Sequence, residues 1–115
     1  VESFLAVSKE KLSETKFEIE NHSAATVMLV SGGYPDKYEK GKIISGTDDV
    51  NDVLLFHAGT FSSPDGKLIT SGGRVVAVTS TGSHLKSCLE KSYRAAEKIK
   101  FEKMYYRKDI GKDVV

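Results

Sequence analysis

The sequence is poor in the features that mark secreted, membrane-spanning and nucleic-acid-binding proteins. Its one cysteine, Cys88, cannot form an internal disulfide, and no basic start is followed by an apolar segment and a cleavage site. No apolar run approaches the roughly 18 residues that a membrane span requires. The 17 basic and 16 acidic side chains are interleaved and sum to a net charge of +1, so no bulk field attracts nucleic acid. These absences predict a cytoplasmic protein with neither a nucleic-acid partner nor a membrane partner.

The length of 115 residues favours a single domain, residues 1–115, with one modest core. The apolar share of 39% and the charged share of 29% are close to globular averages. The chain begins at Val1 rather than at a methionine, and it begins directly in a helical pattern. We therefore expect it to be a piece of a longer protein whose remaining part holds the chemistry.

Two stretches near the ends of the chain have helical periodicity. Residues 1–12 place Leu5 and Leu12 on one apolar stripe, with charged side chains elsewhere, which predicts a short amphipathic helix. Towards the other end, Ser83 can cap a long helix that has Tyr93 on the flank of its apolar stripe. That stripe consists of Leu85, Cys88, Leu89, Ala96 and Ile99.

Between these helices the apolar residues follow the twofold period of β-strands. Phe17 and Ile19 alternate with charged neighbours, which predicts a strand with one wet face over residues 16–20. Residues 24–30 are apolar on both faces, the pattern of a central strand. Paired glycines and a proline then predict a tight turn over residues 31–36.

Four further β segments are predicted at residues 42–44, 53–57, 67–70 and 74–80. Residues 71–73 connect the last two segments, and the closeness of these segments predicts a hairpin. The predicted fold class is α+β: a small antiparallel sheet with an N-terminal helix and a long C-terminal helix.

The stretch after the long helix has the side chains of an anion-binding site. Two tyrosines precede Arg107 and Lys108, and Gly111 follows them, where a glycine lets the backbone approach a ligand. Arginine offers a planar fork that matches phosphate, and lysine supplies a compact charge. The alternative is that both cations are ordinary surface residues after a helix, and composition alone favours that alternative.

Gly72, Gly73 and Arg74 have two interpretations. A glycine pair at a strand end can present backbone amides to an anion, with an arginine reinforcing them. The same pair can simply form a turn, and it lacks the helix start and the trailing lysine of a nucleotide loop. Gly32 and Gly33 allow the same two interpretations, so no nucleotide-binding motif is predicted within the chain.

The histidines and the cysteine do not form a pattern typical of catalysis. His22, His57 and His84 are far apart and are not at metal-ligand spacing, which argues against a zinc site. We expect His57 to be satisfied by a backbone partner at a strand end, and Cys88 to fill the core. The serines form no nucleophile elbow. The sequence therefore nominates no catalytic residue and no metal ligand.

Four stretches of the chain together form a specific pattern: residues 25–35 (ATVMLVSGGYP), 56–60 (FHAGT), 70–75 (TSGGRV) and 106–111 (YRKDIG). In this order and spacing they resemble the motifs of the C-terminal domain of the phosphoribosylamine–glycine ligase family. The resemblance covers residues 17–112. After Gly111, family members often continue with an aromatic residue or histidine and then Arg-Ala, whereas this chain continues with Lys112 and Asp113.

The resemblance implies that the whole protein is an ATP-grasp ligase of purine biosynthesis. Such enzymes phosphorylate the carboxylate of glycine with ATP, and the amine of phosphoribosylamine then displaces phosphate. ATP and Mg²⁺ are thereby expected on domains upstream of Val1, which would be the partners of this domain, so that the fragment alone binds neither and is inactive. For this region the resemblance implies a small antiparallel sheet, similar to a rudimentary hybrid motif, with a flanking helix.

The resemblance also bears on substrate binding. In related ATP-grasp enzymes, a basic pair just before a glycine near the C-terminus holds the sugar phosphate, and Arg107 and Lys108 match that pattern. Two other interpretations stay open, an independent module that binds a phosphorylated metabolite and a purely structural interaction domain. The expected substrate-binding residues are Arg107, Lys108, Gly72, Gly73 and Arg74.

Overall fold

A computed structural model describes residues 1–114 and has helices near both ends of the chain. The regular elements are α1 (Glu2–Ser8), β1 (Ser23–Val30), β2 (Leu54–His57), β3 (Thr60–Ser62), β4 (Leu68–Thr70), β5 (Arg74–Gly82) and α2 (Leu85–Lys98). Short 3-10 turns lie at Leu12–Glu14 and Thr47–Asp49. The predicted α+β class, with small antiparallel sheets between a short helix and a longer one, is confirmed. Within residues 1–114, no helix is both long enough and apolar enough to cross a membrane.

The larger sheet has three antiparallel strands in the order β1–β5–β2. β5 is the central strand because it is apolar on both faces, with Val75, Val76 and Val78 fully buried. The prediction of a strand at residues 24–30 is confirmed, but the prediction that it is central is wrong. β1 buries alternate residues and lies at the edge of the sheet, where its pairing partner is β5.

One face of this sheet packs against α2 and forms the core. Each fully buried aliphatic side chain there contributes roughly 1.5–3 kcal/mol to folding. The predicted apolar stripe of the long helix is confirmed, because Cys88, Leu89 and Ala96 are buried, as is Ile99 at its C-cap. The residues that meet between sheet and helix include Val27, Leu29, Val76, Val78, Ala95, Ala96 and Ile99.

The start of α2 differs from the prediction by one residue. His84 is the N-cap, with an extended backbone (φ −131°, ψ 133°) and no side-chain capping bond, so Ser83 is not the cap. The reason is that β5 continues to Gly82, two residues beyond the predicted strand end at residue 80, which moves the helix start along the chain.

β3 and β4 form a separate two-stranded hairpin. Thr60 pairs with Thr70, and the backbone N–H of Ser63 donates to the carbonyl of Lys67 at 2.8 Å across the turn. The predicted hairpin between residues 67–70 and 74–80 is wrong, because both hydrogen-bonding edges of β5 are occupied by β1 and β2. Residues 71–73 instead carry the chain from the small sheet to the large one.

No residue of the N-terminal arm, residues 1–22, is buried. α1 ends at Ser8, earlier than the helix predicted over residues 1–12. The strand predicted over residues 16–20 is absent, and Phe17 and Ile19 are 60% and 96% exposed. The alternation of apolar and charged residues does not produce a strand here, because no neighbouring strand supplies backbone hydrogen bonds.

The weak β segment predicted at residues 42–44 is not a strand of either sheet. Its pairing is an isolated bridge from Ile43 to Ile69, one residue of the β4 edge. The segment is therefore too short to form a ladder, although it does lie against the small sheet.

Candidate functional site

The tail, residues 105–111, follows α2 and is fastened to both the sheet and the helix. Tyr105 and Val30 exchange backbone hydrogen bonds of 3.0 and 2.9 Å, which adds one bridge to the free edge of β1. Further along, the backbone N–H of Ile110 donates to the hydroxyl of Tyr93 on α2 at 3.0 Å. The two predicted phosphate-binding cations lie between these attachments.

Arg107 is paired with Asp109 two residues further along the tail. Its Nε donates to Asp109 Oδ1 and its Nη2 donates to Asp109 Oδ2, both at 2.9 Å, although both side chains are exposed. The hydrogen bond from Arg107 lowers the pKa of the Asp109 carboxyl below its usual range. A guanidinium has five N–H donors, so three remain for another ligand while the carboxylate fixes the plane of the fork.

Arg107 lines a cavity of about 220 Å³ beside β1. Met28 and Val30 are at the positions of β1 that alternate with the buried Val27 and Leu29, so these two side chains line the cavity from the sheet face opposite α2. The cavity is therefore apolar with one cation at its border. The remaining lining residues are Tyr34, Tyr105 and Ile110.

Gly72, Gly73 and Arg74 line a second cavity, of about 570 Å³. Its other lining residues are Met28, Tyr34, Ala58, Gly59 and Ser71. Met28 and Tyr34 line both cavities, so the two cavities adjoin, and we call them together the Tyr34 cleft. The structure thus brings four of the five predicted substrate-binding residues to one cleft.

Two glycine-rich turns, residues 31–33 and 71–73, build the wall of the Tyr34 cleft together. The Ser31 hydroxyl donates to the carbonyl of Gly72, and the Ser31 N–H donates to the carbonyl of Gly73, each at 2.8 Å. A side chain at Gly73 would overlap the Tyr34 ring, and neither Gly72 nor Gly73 has a left-handed φ. Gly73 is therefore required for the close approach of this turn to Tyr34, and neither glycine is required for an unusual backbone angle.

Lys108, the fifth predicted residue, lies elsewhere. It borders an open groove of about 630 Å³ along α2, together with the helical residues Leu89 and Tyr93. Arg107 and Lys108 are consecutive, but they line different cavities. The structure does not bring Lys108 to the Tyr34 cleft.

The family model of the phosphoribosylglycinamide synthetase C domain matches residues 24–113. The chain belongs to this family. The match includes all four motif stretches of the sequence and the whole of the Tyr34 cleft, while it leaves out the whole N-terminal arm, α1 included.

Proteins similar to this domain are phosphoribosylamine–glycine ligases and larger purine biosynthetic proteins. The chain is 47% identical over 113 residues to the phosphoribosylamine–glycine ligase of Chlorobaculum tepidum, a match that covers 96% of this chain and 26% of the relative. It is 46% identical to the trifunctional purine biosynthetic protein adenosine-3 of Homo sapiens, over 81% of this chain and 9% of that protein.

The crystal structure of phosphoribosylamine–glycine ligase from Thermotoga maritima has a similar fold. The TM-score is 0.73 at 38% identity, over 94% of this chain and 27% of that one. The chain therefore spans about a quarter of the length of the single-enzyme ligases that it matches.

His57 and Cys88 each have a hydrogen-bond partner within this C domain. His57 ends β2 and its Nδ1 lies 2.9 Å from the Thr60 hydroxyl, so its partner is a side chain and not the predicted backbone group. Cys88 is buried, as predicted, and its thiol donates to the carbonyl of Ser23 at 3.4 Å. Within residues 1–114, no cluster of three or more histidine, cysteine, aspartate or glutamate side chains could hold a metal ion.

Three residues of the site were not recognised from the sequence. Tyr34 shapes the cleft, and the sequence feature that could have identified it is an aromatic residue between paired glycines and a proline. Asp109 orients Arg107, and the sequence feature that could have identified it is an acidic residue two positions after a predicted phosphate-binding arginine. Tyr93 contacts the tail backbone, but the sequence indicates only its place on the flank of a helical stripe.

Proposed function

We propose that this domain is the C-terminal part of an ATP-dependent phosphoribosylamine–glycine ligase and that it supplies the wall of the cleft that binds the sugar phosphate. In the proposed reaction, glycine is activated as an acyl phosphate at the expense of ATP, and the amine of phosphoribosylamine displaces phosphate to form the amide of glycinamide ribonucleotide. The observation that carries the proposal is the Tyr34 cleft, in which Arg107 and the segment 72–74 of a chain from this family lie around one ring.

ATP and Mg²⁺ belong, in this proposal, to the remainder of the ligase. The described residues of this chain contain no group of metal ligands, and its glycine-rich turns do not begin a helix. We therefore derive no step through magnesium on this domain. Its own residues bind and orient a substrate, and none is assigned a catalytic role.

The chemistry of the Tyr34 cleft suits the phosphate of a sugar. Arg107 keeps three N–H donors beyond its pair with Asp109, and charge-assisted bonds from a guanidinium to phosphate oxygens are among the strong ones. Gly72 and Gly73 place no side chain between the cleft and their backbone, and Arg74 adds a second cation. Lys108 contributes as a point charge from the neighbouring groove.

The proposed partner of the domain is the preceding ATP-grasp part of the same longer chain. The N-terminal arm supports this proposal, since Phe4, Leu5 and Val7 of α1 are 82%, 53% and 55% exposed. Exposed apolar side chains in a cluster mark interaction surfaces. We also propose a cytoplasmic location, which the free and buried thiol of Cys88 supports because reducing compartments keep such thiols unpaired.

Alanine substitution in the full-length ligase tests the site. Arg107→Ala removes the fork and is expected to raise the KM for phosphoribosylamine about ten- to hundredfold, whereas the KM for ATP stays within twofold. Lys108→Ala acts in the same direction but less. Arg107→Lys keeps the charge without the bidentate geometry and is expected to be intermediate.

Lys100→Ala is the control, because Lys100 is an exposed cation that lines neither the Tyr34 cleft nor the groove of Lys108. It is expected to leave the KM for phosphoribosylamine within twofold. If Arg107→Ala and Lys108→Ala leave that KM as unchanged as Lys100→Ala does, the tail is a solvated surface and the site assignment is wrong.

A further inference from the structure

The hydroxyl of Tyr93 contacts the tail backbone at Arg107 and at Ile110, on either side of Lys108 and Asp109. It donates to the backbone carbonyl of Arg107 at 3.1 Å, and it accepts the backbone N–H of Ile110 at 3.0 Å. One side-chain oxygen therefore joins both ends of the segment 107–110.

Tyr93 is itself held in place on a regular element. It lies in α2, is half-buried, and packs against the core side chains between α2 and the larger sheet. Its ring centroid is 6.2 Å from that of Tyr106 at an interplanar angle of 40°. A helix is a more rigid support than a loop, so the hydroxyl is a fixed point to which the loop backbone is attached.

The neighbouring contacts show which part of the tail Tyr93 controls. Before Arg107, Tyr105 is bound to Val30 of β1 through its backbone. After Ile110, Gly111 lies against Leu89 at a φ of +77°. Between these attachments, the Tyr93 hydroxyl binds the Arg107 carbonyl, which belongs to the backbone from which the guanidinium extends.

We propose that Tyr93 is a positioning residue for substrate binding: its hydroxyl fixes the backbone of Arg107 so that the guanidinium borders the Tyr34 cleft. This inference rests on the proposed function, because it acts through Arg107. A misplacement of about 1 Å in a positioned group can cost on the order of a hundredfold in activity. Since the pair with Asp109 still restrains the fork, we expect a smaller effect of about three- to tenfold on the KM for phosphoribosylamine.

Tyr93→Phe in the full-length ligase tests the inference, because it keeps the ring and its packing and removes only the hydroxyl. The KM for phosphoribosylamine is expected to rise about three- to tenfold, with kcat and the KM for ATP within twofold. In the double variant Tyr93→Phe/Arg107→Ala, the KM is expected to equal that of Arg107→Ala alone, because the tyrosine acts through the arginine. Tyr106→Phe removes the hydroxyl of the adjacent ring and is expected to change nothing.

The outcomes separate the inference from the proposed function. If Arg107→Ala itself leaves the KM for phosphoribosylamine unchanged, the proposed site is wrong. If Arg107→Ala raises this KM and Tyr93→Phe leaves it within twofold, the positioning role alone is wrong. If Tyr93→Phe changes every kinetic constant, or raises the KM by the same factor with and without Arg107, Tyr93 is a structural residue only and the inference is overturned.

Discussion

At the scale of single residues, Gly73 lies so close to the Tyr34 ring that a methyl group cannot be added without moving it. Gly73→Ala is therefore expected to lower the free energy of unfolding of the 115-residue chain by about 1–3 kcal/mol, the usual cost of forcing an extra methyl group into a packed contact. Urea unfolding followed by circular dichroism measures the difference.

Tyr34→Ala provides the control for this prediction, because it removes the ring that the methyl group would meet. In that background, Gly73→Ala is expected to cost less than about 0.5 kcal/mol, since the two substitutions share one contact. An equal cost in both backgrounds would mean that the strain lies in the backbone of the turn and not against Tyr34.

The ion pair of Arg107 and Asp109 predicts how the stability of the fold depends on pH. Because the hydrogen bond from Arg107 lowers the pKa of Asp109 in the folded state, the pair stabilises the fold above the unfolded pKa of about 3.9. That stabilisation is lost as the pH falls through the lower folded pKa. Titration of the carboxyl carbon by NMR is expected to give a depressed pKa in the parent and a higher pKa in Arg107→Ala. An equal pKa in the two proteins would show that the pair does not form.

The sequence identifies some members of the Tyr34 cleft and not others for a physical reason. Arg107 and the segment 72–74 are marked by local chemistry, namely a cation beside a glycine. Tyr34 enters the cleft only because the turn 31–33 binds the turn 71–73 through Ser31, a contact between residues about forty positions apart. Local reasoning groups Lys108 with Arg107, but the chain bends at Lys108 and the two side chains border different cavities.

At the scale of elements, a chain of buried hydroxyl groups joins α2 to the sheet. Ser92 of α2 is fully buried and donates to the carbonyl of Ala25 on β1 at 2.9 Å, and its hydroxyl lies 2.9 Å from that of Ser80 on β5. Ser92→Ala leaves the Ala25 carbonyl without this donor, and we expect a loss of about 1–3 kcal/mol in the free energy of unfolding. Equilibrium urea denaturation checks the value.

Ser87→Ala is the matched control on the same helix. The Ser87 hydroxyl donates to the carbonyl of His84 at 2.8 Å in an exposed setting, where water can replace it. The expected change is within about 0.5 kcal/mol. If the two serine substitutions cost the same, the buried network does not hold α2 on the sheet.

The elements divide into those that periodicity could predict and those that it could not. α2 and β1 were found because their apolar positions repeat over many residues and face one core. The prediction of a strand at residues 16–20 is wrong, because alternating apolar and charged residues do not by themselves provide a neighbouring strand to pair with. The central place predicted for residues 24–30 is wrong for a similar reason: the strands at the two edges of β5 pair with it across about 20 to 60 residues of sequence, and no local pattern encodes these pairings.

At the scale of the whole molecule, the domain leaves apolar surface uncovered outside its own core. Besides the N-terminal arm, Leu54 and Phe56 of β2 are 55% and 54% exposed on the larger sheet. Such surface is costly in water, and the proposed remainder of the ligase would cover it. In that proposal, the Tyr34 cleft is one wall of a site that the proposed remainder of the ligase completes.

Ligase activity of the full-length gene product tests the proposed function most directly. The purified enzyme is expected to form glycinamide ribonucleotide and an equimolar amount of ADP when glycine, phosphoribosylamine and ATP are all present. Omission of either glycine or phosphoribosylamine is expected to abolish the product, and the 115-residue chain assayed alone is expected to form none. A folded full-length protein that consumes ATP without forming the amide, or that forms no product at all, would contradict the proposed function.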